Sequence, residues 1–344
     1  MALMSKAQLD AIDECFRPLF AGLIAANRIG AATRAAMELS DTVLAGDAES
    51  GRHLLWKNYF APLYERGAPY QSQDFEIIDY DMFSIGSRTQ LFRGPRPSLS
   101  DIASGNYICL IGAAQLFGRF HRRPLHWMLH QAYGIPVLNL SIGGIGIQEY
   151  LCDDYVSLAG RARLVVMQVL SGRSIGCDEY PGTWITTRKG DVASVPREIV
   201  LREIWQQDPD EAVRLIRKWS ELYIDLYRSW ARRLDVPKLL LWMSDRAPDG
   251  WTLDHARTSG AFGSFPQLVS NDVIDCIVPE FQGFVACPPI PAARLEFTSR
   301  ISSLPCPYIW PDGSLRWSDD YYPSLLTHET ALHQLRPQLD RWLR

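Results

Sequence analysis

Three short apolar runs, each followed by a turn of small residues, constrain this chain more than any other feature. Tyr107-Ile-Cys-Leu-Ile111 runs into Gly112-Ala113-Ala114-Gln115, and Val137-Leu-Asn-Leu140 into a stretch ending Gly143-Gly144-Ile-Gly146. Leu164-Val-Val-Met-Gln-Val-Leu170 runs into Ser171-Gly-Arg-Ser174. Between the runs, apolar residues recur at helical spacing, first through Trp127 and Leu129 and then through Tyr150 and Tyr155. Strand, turn and helix in repetition predict a parallel sheet covered by helices, because a parallel return needs a long crossover and a helix is the usual one. A long amphipathic helix is predicted over 208–234, with Ala212, Leu215, Ile216, Trp219, Leu222, Tyr223 and Leu226 at helical spacing, feeding a fourth strand over 238–243. A strand over 75–80 and a closing helix over 326–343 complete the pattern, while 285–290 reads as a short run ending in a proline turn.

Composition sets the class. The chain has 344 residues, 47% hydrophobic and 22% charged, which suits a large globular core and excludes disorder and coiled coil. Thirty-five Lys and Arg against 39 Asp and Glu give a net charge of -4, which supplies no field for gathering nucleic acid. Seven cysteines without a C-x-x-C pair read as thiols in a reducing compartment. The start, Met-Ala-Leu-Met-Ser-Lys, lacks the pattern of a signal peptide, and no stretch approaches the roughly 20 apolar residues of a membrane span. The expectation is a cytoplasmic protein without a transmembrane segment. Residues 6–44 carry helical spacing, so a helical segment is predicted over 1–70, followed by an α/β domain over 71–344. No oligomeric state is legible.

In an open parallel sheet, ligands bind beyond the carboxyl ends of the strands, so the turns after the three runs are expected to converge on one rim. Gly112, Ala114 and Gln115, then Asn139, Gly143 and Gly144, then Ser171, Arg173 and Ser174 are the candidates, with Arg119 a little further along the first helix. Arg173 offers a planar donor fork for an anion. Neither the dinucleotide fingerprint nor the P-loop spacing is present. His126 and His130 stand four apart on one helix without an identifiable third ligand, so no metal site is assigned. Near the end of the chain, Asp320 and Tyr321-Tyr-Pro-Ser324 precede His328, a position that suits a general base returned to the rim. Asp245 and Arg246 follow the fourth strand and are second-rank candidates.

The blocks Gly112-Ala-Ala-Gln-Leu-Phe-Gly-Arg119, Asn139-Leu-Ser-Ile-Gly-Gly144, Ser171-Gly-Arg-Ser174, Phe262-Gly-Ser-Phe-Pro-Gln-Leu-Val269 and Tyr321-Tyr-Pro-Ser324 with His328 resemble a bacterial family of unknown function. Its architecture is similar to the SGNH, or GDSL-type, hydrolases. The resemblance implies a three-layer, doubly wound α/β fold. It also implies a nucleophile position at Ala113 or Ala114, an oxyanion-hole glycine at Gly143 or Gly144, an oxyanion-hole asparagine position near Arg173, and the catalytic histidine at His328. Alanine cannot form an acyl-enzyme, and Leu325 stands where an Asp-x-x-His pair needs its aspartate, leaving Asp320 to orient the histidine.

Three readings follow. One is group transfer or hydrolysis on a carbohydrate or glycolipid, with His328 as general base, Arg173 holding an anionic group and Trp242 and Trp310 stacking on sugar rings. A nucleotide-activated or CoA donor is the cofactor such transfer implies. Another is a noncatalytic carbohydrate-binding or assembly protein that keeps the pocket. The last is an esterase with a relocated serine, Ser171 or Ser141.

Overall fold

The computed structural model of the protein describes residues 74–85, 90–177, 179–180, 185–187, 194–254, 262–291, 293–300, 303–306, 308–309 and 315–344. The helical segment expected over 1–70, and its boundary, lie outside the described residues, as does Trp310. The chain divides into two compact units, residues 1–96 with 295–319, and residues 97–294 with 320–344.

In the first unit the described elements are a helical turn, Asp74–Ile77, and short antiparallel pairs. Asp74 is buried and accepts hydrogen bonds from the hydroxyls of Tyr80, at 2.9 Å, and Tyr308, at 2.5 Å. This bond corrects the strand expected over 75–80. Six extended residues span about 20 Å, whereas one helical turn, closed by Ile78 N–H on the Asp74 carbonyl at 2.7 Å, brings Tyr80 back onto Asp74. Asp74→Ala strands two buried hydroxyls and is expected to destabilise this unit by about 2 kcal/mol in urea denaturation. An unchanged midpoint would contradict that.

The second unit holds five parallel strands: β1 Ile108–Ile111, β2 Val137–Asn139, β3 Leu164–Gln168, β4 Lys238–Trp242 and β5 Gly283–Ala286. Their order is β2-β1-β3-β4-β5. β5 was not expected, because its edge position leaves three of its four residues partly or fully exposed and interrupts the apolar run. The helices in chain order are α1 Leu99–Ser104, α2 Ala114–Phe117, α3 Leu125–Tyr133, α4 Ile147–Tyr150, α5 Asp153–Arg161, α6 Arg197–Gln207, α7 Pro209–Arg232, α8 Asn271–Ile277 and α9 Leu325–Leu343.

Alternate strand residues separate the two faces of the sheet. Ile108, Leu110, Leu164, Val166, Leu239 and Leu241 pack with Leu125 and Leu129 of α3 and with Ala331, Leu335 and Leu339 of α9. Their neighbours Cys109, Ile111, Val165, Met167, Leu240 and Trp242 are equally buried. On that side Tyr107 donates to the Leu158 carbonyl in α5, at 2.6 Å, and Tyr227 of α7 to the Gln168 carbonyl, at 3.2 Å. Both faces are therefore covered, which explains why the central strands are apolar without alternation. Burial pushes the thiols of Cys109 and Cys287 up, Cys287 to about 12, so both are protonated core side chains rather than nucleophiles.

The long helix starts where its sequence dictates. Asp208 accepts from Glu211 N–H at 3.0 Å as N-cap, Pro209 occupies the first turn, and Arg232 lies in the last. Elsewhere helical spacing overran real stops. Gly118, at φ 77°, ends α2 before Pro124 starts α3, and Cys152 separates α4 from α5. Among the described residues, no helix is long and apolar enough to cross a membrane.

Candidate functional site

The strand order reverses at β1, which places the binding crevice of a doubly wound sheet at the carboxyl ends of β1 and β3. Here a side chain fills it. Gln168, fully buried at the end of β3, accepts the Ala113 N–H at 3.0 Å, tying the turn after β1 to the neighbouring strand. Gly112 is required by this approach, since a Cβ there would lie 2.7 Å from Gln168 Oε1 and 2.7 Å from Leu116 Cβ. Tyr150 shares its hydroxyl between the carbonyls of Gly112 and Leu140, both at 2.8 Å, and so joins the turns after β1 and β2. Tyr227 accepts the Leu170 N–H and Tyr223 donates to the Leu170 carbonyl, each at 2.8 Å, which fixes the chain after β3. Burial raises both phenols, so these hydroxyls stay protonated.

Beside this rim lies a cleft of about 230 Å³, lined among others by Gln115, Ser244, Asp245, Gln267, Asp320, Tyr321 and Thr327. Gln115 comes from α2, Ser244 and Asp245 from the turn after β4, Gln267 from a loop over 262–269, and the last three from the approach to α9. Gln115 is only 5% exposed, and its Oε1 has no hydrogen-bond partner. Ser244 donates to the Phe265 carbonyl and accepts the Arg246 N–H at 3.1 Å. Ser324 caps α9 by accepting from Thr327 N–H at 3.4 Å, which presents Thr327 to the cleft.

Arg246 anchors the loop that supplies Ser264, Phe265 and Gln267 to the cleft. Its guanidinium donates to the carbonyls of Pro266 at 2.6 Å, Val269 at 2.8 Å, Ala247 at 3.2 Å and Ser264 at 3.3 Å, and lies 4.7 Å from the Trp242 ring centre. Desolvation pulls it down to about 10, partly offset by the charge of Asp245, so it remains a cation at neutral pH. The second-rank candidate is thus a loop anchor. Trp242, expected as a stacking surface, is fully buried and donates Nε1–H to the Arg246 carbonyl at 2.7 Å.

The predicted site residues separate into groups. Gln115 and Asp320 line the cleft. Ala114, which the resemblance expects at the nucleophile position, is buried in the first turn of α2. His328 is fully buried, accepts the Leu125 N–H on Nδ1 at 3.3 Å, and meets the His121 ring edge-on at 5.3 Å. His121 donates Nε2–H to the Pro323 carbonyl at 2.6 Å, so the two histidines back the segment that forms the cleft wall. Ser171 donates to Gln267 Oε1 at 2.8 Å, an amide that cannot act as its base. Arg173 is half-buried in the 3-10 turn Gly172–Ser174 and is not among the residues lining this cleft.

The remaining candidates are not among the residues that line this cleft. Arg119 donates to the Tyr322 hydroxyl at 2.8 Å and stacks 4.6 Å from the Phe120 ring centre. Asn139 donates to His126 Nδ1 at 3.1 Å and accepts Ser141 N–H at 3.1 Å, while His130 lies 3.1 Å from the Ile135 carbonyl. Ser141 is fully buried and its Oγ has no hydrogen-bond partner. Gly143 and Gly144 are half-buried in a turn that Gly144, at φ 78°, allows. Ser174 is buried against Gly146. Ser244, Gln267, Tyr321 and Thr327 were not singled out, although the blocks over 262–269 and 321–324 were visible as motifs.

The family described as Domain of unknown function (DUF6473) matches residues 69–179. No curated protein matches the chain. Among solved structures, it is similar to a carbohydrate esterase family 2 enzyme with a carbohydrate binding domain from Corynascus thermopiles (Myceliophthora fergusii), at 10% identity and a TM-score of 0.35, covering 74% of this chain and 69% of that one. A lipase from a goat rumen metagenome is similar at 10% identity and a TM-score of 0.37, covering 67% and 96%. A family two carbohydrate esterase from Clostridium thermocellum, in complex with cellohexaose, is similar at 12% identity and a TM-score of 0.34, covering 73% and 67%. Likeness at this level assigns no activity.

Proposed function

We propose that the second unit is a carbohydrate-binding module on an SGNH-like scaffold, without the serine chemistry of that class. The observation that carries this reading is the cleft itself. Its volume, about 230 Å³, falls below the roughly 300–1,000 Å³ of pockets for drug-sized ligands and suits a single ring-sized group. Carboxylates, amides and hydroxyls line it, together with the half-exposed ring of Tyr321, the mixture that a polyhydroxylated ring requires. Ala114 at the nucleophile position and the amide partner of Ser171 support binding over acyl transfer. The burial of His328 and the engagement of its Nδ1 by α3 support the same choice over general-base catalysis.

The test is a thermal-shift and calorimetric screen of the full chain against an oligosaccharide panel. A ligand at a hundredfold excess over its Kd is expected to stabilise by about 2.7 kcal/mol, with the sugar recovered chemically unchanged. Gln115→Leu is expected to weaken that binding about tenfold or more by replacing a polar amide of the lining with an apolar side chain. Turnover of a sugar that His328→Ala abolishes in folded protein would instead establish the group-transfer reading.

A further inference from the structure

We infer that the cleft wall is held by an acid-sensitive latch, in which His328 and His126 fasten the start of α3 only while their rings are neutral. α3 begins at Leu125 behind Pro124, which makes no side-chain cap bond, so its first N–H needs an acceptor from elsewhere in the fold. His328 of α9 supplies it, taking the Leu125 N–H on Nδ1 at 3.3 Å. The next residue ties α3 to the turn after β2. Asn139 accepts the Ser141 N–H on Oδ1, which turns its amide nitrogen toward His126 Nδ1, at 3.1 Å. An amide nitrogen only donates, so His126 Nδ1 accepts. Each ring therefore carries its single proton on Nε2, and both rings are buried.

A second proton on either ring places an N–H at Nδ1 against a donor and ends the bond. It also sets positive charge in a buried site at the positive end of the α3 dipole, with the His121 ring 5.3 Å from that of His328. Around the starts of α3 and α9 the other charged and titratable side chains are Arg119, Arg122, Arg123 and His130, then Asp320, Tyr321, Tyr322, Glu329 and His333; the turn after β2 adds none. Arg119 is the buried one among them, and it is a cation, so that buried charge opposes an imidazolium. The consequence reaches the cleft, because Asp320, Tyr321, Pro323 and Thr327 line it just ahead of His328. In the unfolded chain both imidazoles take a proton below about pH 6.5, whereas the fastened state excludes it. The latch is therefore whole above that value, and its opening gains about tenfold for each histidine per pH unit beneath it.

Hydrogen–deuterium exchange of the full chain, read by peptide at pH 7.5, 6.5 and 5.5 and corrected for the intrinsic pH dependence of exchange, tests the latch without any ligand. Protection over 121–128 and 320–331 is expected to fall at least about tenfold between pH 6.5 and 5.5, with β1 and β3 unchanged. In His328→Asn, whose Oδ1 takes the Leu125 N–H without titrating, protection over 320–331 should hold. His333→Asn, at an exposed position on α9, should behave as the wild type. A thermal melt at pH 7.5 verifies that each variant folds; if His328→Asn does not, His126→Asn replaces it, with protection over 121–128 expected to hold. No acid loss in the wild type, a loss equal to that of the strands, or the same loss in the asparagine variant would overturn the inference. A sugar found in the oligosaccharide panel should also bind more weakly at pH 5.5 than at pH 7.5, and equal affinity would show that the latch does not hold the cleft wall. Absence of any sugar ligand removes the carbohydrate reading and leaves the exchange test to decide the latch.

Discussion

Arg246→Ala is expected to destabilise the second unit by about 3–5 kcal/mol, the range in which breaking a buried charge network falls. The reason is geometric. One guanidinium, 9% exposed, satisfies carbonyls from the turn after β4 and from Ser264, Pro266 and Val269, so it closes the loop over 262–269 around a single charged fork. Removing it leaves several buried acceptors without donors and takes a cation from the face of Trp242. Arg246→Lys is expected to recover less than half of the loss, because an ammonium presents three donors from one point and cannot span carbonyls on opposite sides. Urea denaturation of the three proteins checks both expectations. Full recovery by lysine would show that charge alone, and not the fork, holds the loop. Both variants should also lose affinity for sugar, since Gln267 and Phe265 on that loop line the cleft.

Gly146→Ala carries the second-largest expected effect, a loss of about 3 kcal/mol, at the upper end of overpacking penalties. A Cβ at Gly146 would stand 2.3 Å from the Ser174 carbonyl oxygen and 3.0 Å from its carbon. The obstacle is backbone, so neither partner can turn aside. The contact joins the turn after β2 to the 3-10 turn after β3, which Gln148 also bridges, donating to the Gly176 carbonyl at 2.8 Å and accepting its N–H at 2.7 Å. Gly160→Ala is the control. Its Cβ would meet only Leu234 Cδ2 at 3.6 Å, within helix α5, and the change is expected to stabilise by up to about 1 kcal/mol through helix propensity. Similar effects of the two substitutions would contradict the close-approach explanation.

The fold was legible where burial makes a strand apolar throughout. β1, β3 and β4 are buried over their whole length and stand out as runs, and α7 stands out through its period and its Asp208-Pro209 start. β5, at the edge, was not legible because half-exposure dilutes the pattern. Helix breaks at Gly118, Pro124 and Cys152 were hidden because apolar spacing continues across them. In the site, strand ends located the rim and so brought out Gln115, while Asp320 emerged from the segment before His328. One property of the site stays hidden in the sequence. Sequence shows that a polar residue lies near the rim but not whether neighbouring backbone has already engaged it, as it has the guanidinium of Arg246 and the Nδ1 of His328. Trp242 misled in the same way, an aromatic at a strand end that turns inward.

Hydrogen–deuterium exchange of the full chain, with and without a saturating amount of the tightest-binding oligosaccharide, tests the central claim most directly. Binding in the cleft predicts slowed exchange confined to the backbone around Gln115, the turn 244–246, the loop 262–269 and residues 320–327. Protection centred instead on Arg173 and the turns after β2 and β3, with these four segments unchanged, would contradict it.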